Sequence, residues 1–163
     1  MLLRKKVTLL VSRSMNKPVV VLGAGGHASV LVESLKQQNR QILALIAPQC
    51  CGSRLVFDGI PVWKDDTPLL AFSPENIELV NGIGSLPGSN LRATLFSHYR
   101  QAGYRFMTVI STRAYVSEYA VLAEGVQVMA GAIIQTGAQV GIIRLLIVEQ
   151  SLNTIVQLVR IVI

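Results

Sequence analysis

Apolar residues recur every six positions in the second half of the chain, at Val116, Leu122, Val128, Ile134 and Val140. A second lane runs two residues ahead, at Ala114, Ala120, Val126, Ala132 and Ala138, and glycines keep the same step at Gly125, Gly131 and Gly137. Six residues is neither the period of a helix, about 3.6, nor the two-residue alternation of an ordinary strand. It is the period of a hexapeptide β-helix, in which each six residues form one flat side of a coil. The register is unbroken from Ala114 to Gly141 and then stops.

The first half reads differently. Val19–Leu22 is a continuous apolar run, the mark of a strand buried on both faces. It ends in Gly23-Ala24-Gly25-Gly26-His27-Ala28. A helix is expected next, with Val30, Leu31, Ser34 and Leu35 inward and its end near Asn39. A second strand follows at Ile42–Ile46, so the unit is βαβ with a right-handed crossover. Residues 48–59 read as a loop, 60–63 as a short extended piece, 65–72 as a short helix and 77–83 as another buried strand. Asn90 caps a helix running to about Ala102, with Leu91, Leu95, Phe96 and Tyr99 inward and Gly103 ending it. Residues 106–110 form a further strand. The fold class is therefore α/β, a small doubly wound, Rossmann-like parallel sheet of about four strands, followed without a linker by the start of a β-helix. The expected division is an upstream extension at 1–14, the sheet domain at 15–110, a partial repeat domain at 111–141 and a tail at 142–163.

Composition narrows the function classes. Hydrophobic residues make up 51% and charged residues 15%, so part of the surface is expected to meet a partner. The net charge of +6 gathers at Arg4, Lys5, Lys6, Arg13 and Lys17, with no later basic stripe interleaved with aromatics, which argues against a nucleic-acid partner. Cys50 and Cys51 are adjacent and stand at no metal spacing. They read as free thiols in a reducing cytosol, giving a cytoplasmic protein without a metal. No uncharged apolar run reaches about 18 residues, so no membrane span is expected. The tail comes closest, but Arg144, Glu149 and Arg160 interrupt it. A basic start before apolar residues 7–11 sketches a signal peptide, yet Arg13 cuts it short, and Met15 is the better start of the folded part.

Gly23-x-Gly25-x-x-Ala28 fits the dinucleotide fingerprint with alanine in the third small position. Gly23 permits the turn, and Gly25 and Gly26 let a phosphate approach the backbone. The helix behind them offers free N–H groups and a positive dipole end. The acid expected after the second strand is missing, because that place reads Leu45-Ile46-Ala47-Pro48. This counts against NAD. A ligand-free tight turn is the plain alternative. His27, in the first helical turn, either contacts a phosphate or sugar or faces solvent, and His98 reads as a surface residue. No Ser-His-Asp set or paired-carboxylate site is visible.

The combination resembles the sugar acetyltransferases that include sialic acid O-acetyltransferases and bacillosamine-pathway N-acetyltransferases. The matching stretches are Val19-Val20-Val21-Leu22 with the glycine turn to Ala28, then Leu79-Val80-Asn81-Gly82-Ile83-Gly84, Leu91-Arg92 with Leu95-Phe96, Gly103-Tyr104-Arg105-Phe106, and the hexads. The resemblance implies that the N-terminal domain holds a nucleotide-linked amino sugar. It also implies a left-handed β-helix that trimerises and binds acetyl-CoA, the co-substrate, between subunits, with a histidine of that helix as general base. It places Gly23, Gly25, Gly26 and His27 at the nucleotide-sugar phosphates, with Gly84 and Ser85 bordering the same crevice. Family members often carry His-Pro before the first hexad, where this chain has Ser111-Thr112.

The family's catalytic histidine lies about two hexads beyond Gly141, in a stretch like Glu-His-Asp-Cys. This chain has no histidine there, and Arg144 and Gln150 occupy the small-residue lane. Back-translating from Gly141 and shifting the frame by one base recovers, with permitted codons, a run containing Glu-His-Asp-Cys-Ser-Ile-Gly. Residues 142–163 are thus expected to be an out-of-frame tail, and the chain to lack acetyl transfer. An open C-terminal coil edge and the run Ile161-Val162-Ile163 add an aggregation risk. Two other functions compete: a nucleotide-binding module with the hexads as an oligomerisation stub, and an NAD(P)-dependent oxidoreductase.

Overall fold

The computed structural model describes residues 17–49, 54–84 and 88–142, together with strands at 145–149 and 158–162. The upstream segment 1–14, Met15, Cys50, Cys51 and Ser85 lie outside the described residues.

The N-terminal part is a five-stranded parallel sheet. Its strands are β1 (Val19–Leu22), β2 (Ile42–Ile46), β3 (Val62–Trp63), β4 (Glu78–Asn81) and β5 (Arg105–Phe106), in the spatial order β3-β2-β1-β4-β5. Helix α1 (Gly26–Gln37) joins β1 to β2, and α2 (Leu91–Gln101) joins β4 to β5. One short 3₁₀ turn lies in the 48–59 loop, at Leu55–Phe57, and another replaces the helix expected over 65–72, at Thr67–Ala71. Every residue of β1 and β4 is buried, as a continuous apolar run implies for a strand covered on both faces. Val19, Val21, Leu45 and Val80 pack with α1 through Ala28, Leu31, Val32 and Leu35 on one side. Val20, Leu22, Ile46 and Leu79 pack with Phe96, Tyr99, Tyr104 and Phe106 on the other.

Two helix faces differ from expectation. Val30 is 44% exposed, and Val32 takes the inward place. On α2, Leu91 is 49% exposed while Arg92 is buried. Asn90 sits at the N-cap, but its side chain makes no capping bond; its carbonyl accepts from Thr94 N at 2.9 Å.

The strand expected over 106–110 is two strands in two different sheets. Arg105–Phe106 closes the Rossmann-like sheet, and β6 (Val109–Ile110) is already the first rung of the coil. Six two-residue sides follow the six-residue step: β6, β7 (Tyr115–Val116), β8 (Val121–Leu122), β9 (Gln127–Val128), β10 (Ile133–Ile134) and β11 (Gln139–Val140). The first three pair in parallel with the strand eighteen residues on: Val109 with Gln127, Tyr115 with Ile133, Val121 with Gln139. All ten lane residues enclose one interior, with Ile110 and Ala123 added. Gly125, Gly131 and Gly137 turn the corners at φ of +72°, +79° and +79°, a region that costs a side chain.

The ladder does not stop at Gly141. In β12 (Leu145–Glu149), Leu145 pairs with Gln127 and Leu146 with Val128, so the register persists for one more rung. The chain then leaves the parallel pattern. β13 (Leu158–Val162) runs antiparallel along β12 and pairs with its outer edge, on one side of the coil. Ile161 and Val162 belong to that pairing, and Ile163 lies outside the described residues.

One side of the coil is docked on the sheet domain. Met107, Val109 and Met129 belong to the same apolar cluster as β1 and α1. Glu124 fastens the docking by accepting from Phe106 N at 2.9 Å and pairing with Arg100 at 3.4 Å and Arg105 at 3.7 Å.

Candidate functional site

In a doubly wound sheet a ligand crevice opens beyond the C-terminal ends of the strands, where the strand order reverses. Here that point lies between β1 and β4, the central neighbours from which β2 and β5 run outward. Gly23 follows β1 and Gly82-Ile83-Gly84 follow β4, so the two glycine segments meet at the switch point.

The two segments are held close by their lack of side chains. Gly23 has φ +99°, and a Cβ there would meet Ile83 Cδ1 at 3.0 Å. A Cβ on Gly82 would lie 2.7 Å from Leu22 O, 2.8 Å from Ala28 Cβ and 3.0 Å from Val21 Cγ1. Gly25 and Gly26 are the opposite case, with nothing within 4 Å of an added Cβ. Gly25 is the N-cap of α1, offers no side-chain cap, and no acid occupies the first turn. The first N–H groups of a helix have no intrahelical acceptor, so this end presents donors and a positive dipole to open space.

His27 is half-buried beside this end. Its Nε2 lies 2.7 Å from Gln127 Oε1 on β9 of the coil, and its Cβ is the nearest neighbour a Cβ on Gly84 would meet, at 3.5 Å. Burial holds its imidazole below the ordinary value of 6.5; the Gln127 bond opposes this and the Arg92 charge adds to it. Arg92 donates to Gln127 Oε1 at 2.9 Å, to Asn81 O at 3.1 Å and to Ile83 O at 2.8 Å. Burial lowers its guanidinium to about 10, which leaves it charged at neutral pH. Gln127 Nε2 donates to Asn81 O at 2.8 Å, and Asn81 Nδ2 donates to Arg92 O at 2.9 Å.

The structure therefore brings Gly23, Gly25, Gly26, His27 and Gly84 to one crevice and ties its floor to the coil. Gln127 was not among the residues the sequence singled out, and Arg92 entered only within the Leu91-Arg92 stretch of the resemblance, with no role in the site. His98 is exposed on the outer face of α2, away from this cluster. Among the described residues no group of three or more His, Cys, Asp or Glu could hold a metal ion, and no helix is long and apolar enough to cross a membrane.

Residues 18–97 match the family model of the PglD N-terminal domain. These residues carry the likeness to a PglD N-terminal domain, and the chain is similar to the PglD-like sugar acetyltransferases. It is 25% identical to the acetyltransferase domain of PglB from Neisseria gonorrhoeae FA1090, solved with acetyl coenzyme A, with a TM-score of 0.68 over 80% of this chain and 61% of that one. It is 31% identical to a variant of perosamine N-acetyltransferase from Caulobacter crescentus, solved with CoA and GDP-perosamine, with a TM-score of 0.67 over 80% of this chain and 60% of that one. A second structure from that organism, PerB with the same two molecules, gives 33% identity and a TM-score of 0.58 over 77% and 63%. The chain thus spans about three-fifths of the length of these solved relatives. No curated protein sequence matches it. These likenesses agree with the resemblance carried by the glycine turn and the hexads, and the α/β architecture with a Rossmann-like sheet is the one the pattern implied.

Proposed function

We propose that the crevice between β1 and β4 binds a nucleotide-linked amino sugar, the acceptor in acetyl-CoA-dependent acetyl transfer. The observation that carries this is the uncapped, side-chain-free start of α1, brought beside a second glycine segment in which Gly82 has no room for a Cβ. A diphosphate fits that chemistry. Its charge is offset by the helix end, and its oxygens accept from backbone N–H groups at Gly25, Gly26 and His27. The solved relatives that hold GDP-perosamine support the ligand class. An oxidoreductase is disfavoured, because residues 47–49 after β2 supply no carboxylate for a ribose.

Within the family, the transfer needs a base to take the proton from the acceptor amine or hydroxyl as it attacks the thioester. The chain's two histidines are His27 and His98, and neither stands on the coil. We therefore assign this polypeptide nucleotide-sugar binding without turnover of acetyl-CoA, in a cytoplasmic setting and with trimerisation belonging to the intact coil. We read residues 142–163 as an out-of-frame tail because Arg144 and Gln150 break the small-residue lane and a one-base shift restores the hexads; Leu145 and Leu146 still pair in the coil register before β12 turns to its antiparallel partner β13. The coding DNA tests this directly: a shifted frame continuing the hexads is expected, and its absence refutes the tail assignment.

Calorimetric titration of the full chain with GDP, UDP, GDP-perosamine, NAD and acetyl-CoA tests the function. Binding of a nucleotide or its sugar, with no binding of NAD and no acetyl transfer, is expected. Preference for NAD, or release of CoA with an amino-sugar acceptor, overturns the proposal.

A further inference from the structure

Gln127 stands in the outward lane of the coil, at the place that Tyr115, Val121, Ile133 and Gln139 occupy on other sides. Those four are exposed, whereas Gln127 is 1% exposed because its side is the docked one. Its amide orientation is forced by its partners. Asn81 O can only accept, so it faces the NH₂ group at 2.8 Å. Arg92 can only donate, so it faces Oε1 at 2.9 Å. His27 Nε2 lies 2.7 Å from that same Oε1 and must carry a proton. The burial of the ring and the adjacent Arg92 charge disfavour a second one. Nδ1 is then a bare acceptor, on the ring edge nearer the first turn of α1, and it has no hydrogen-bond partner among the described residues.

We infer that Gln127 is a positioning residue that holds His27 in the Nε2–H tautomer, so that His27 accepts a hydrogen bond from a hydroxyl of the bound nucleotide or sugar and gives none to its phosphates. Two acceptors cannot share a hydrogen bond, so Nδ1 in this state is paired with a donor while the phosphates fall to the backbone N–H groups. The ligand half of this inference rests on the crevice being the nucleotide-sugar site. The tautomer half stands without it.

The test uses the full chain labelled with ¹⁵N-histidine, at pH 7.5. Two-bond ¹H–¹⁵N correlation spectra are recorded without ligand, with His98→Gln giving the assignment. His27 is expected as the Nε2–H tautomer. In Gln127→Met a population of the Nδ1–H form is expected, and the affinity for GDP or UDP, whichever the parent binds, falls roughly tenfold, the worth of about one hydrogen bond. Inorganic pyrophosphate, which has no sugar hydroxyl, binds parent and variant alike. Gln127→Asn, which draws the amide oxygen away from His27, serves as the second variant where Gln127→Met does not fold. An Nδ1–H or doubly protonated ring in the parent overturns the inference. So does an unchanged tautomer in the variants, or an equal loss of nucleotide and pyrophosphate binding. A parent with the expected tautomer that binds no nucleotide refutes the ligand half and the proposed function, and leaves the tautomer half standing.

Discussion

Replacing Gly82 by alanine adds one methyl group at the point where β1, β4 and α1 come closest. That methyl carbon would lie 2.7 Å from Leu22 O, 2.8 Å from Ala28 Cβ and 3.0 Å from Val21 Cγ1. Ordinary contact begins near 3.4 Å, so the backbone of β1 must retreat by roughly 0.7 Å, the difference between 3.4 and 2.7. It is not free to do so, because β1 is paired with β2 on one side and β4 on the other. Overpacking of a fixed core costs about 1–3 kcal/mol, and three contacts with backbone among them place Gly82→Ala near the top of that range. For a chain of this size that lowers Tm by roughly 5–10 °C. Gly26→Ala is the control. Its new methyl meets nothing within 4 Å, so stability should stay within about 0.5 kcal/mol, while the nucleotide site loses open space. Urea denaturation followed by circular dichroism measures both. A Gly82→Ala variant as stable as the parent would show that the glycine segments are not packed against each other, and the crevice geometry would go with them.

Arg92→Met removes the donor from three acceptors in and beneath the crevice, and should cost about 3 kcal/mol in the same assay. Arg92→Lys should recover less than half, because one ammonium cannot span the three positions. Stability should also depend on pH through His27. Its folded value lies below 6.5, so the unfolded chain takes up the proton first. This contribution is complete above pH 6.5 and is lost as the pH falls below it, and His27→Gln should flatten that part of the curve in denaturation at pH 5 to 8. An unchanged curve in the variant would mean that His27 is not held neutral.

The strands and helices around the glycine turn were legible because each follows from a local pattern. Val19–Leu22 is a solid apolar run, and all ten lane residues of the coil end in one interior. What the sequence hid is settled by docking. Residues 106–110 form an unbroken nonpolar stretch apart from Thr108, and only three-dimensional pairing shows one strand ending and a rung of another sheet beginning. Arg92 reads as a polar residue on an amphipathic helix; its burial comes from the carbonyls of Asn81 and Ile83 reaching it from the next element. Gln127 and Gln139 share one lane, so no periodicity separates the buried one from the exposed one. Val30 and Val32 both suit an inward face at helical spacing, and only packing in three dimensions buries Val32 and leaves Val30 exposed.

Met107, Val109 and Met129 share their apolar cluster with β1 and α1, so the join between crevice and coil is part of the packed interior. A linker would let the two halves swing, and chemistry between them would then wait on a closing motion. Here the separation between the glycine turn and the coil is set when the chain folds. That distance is fixed by side-chain packing, and a methylene lost from this shared interior would shift the coil against the glycine turn while each half kept its own fold.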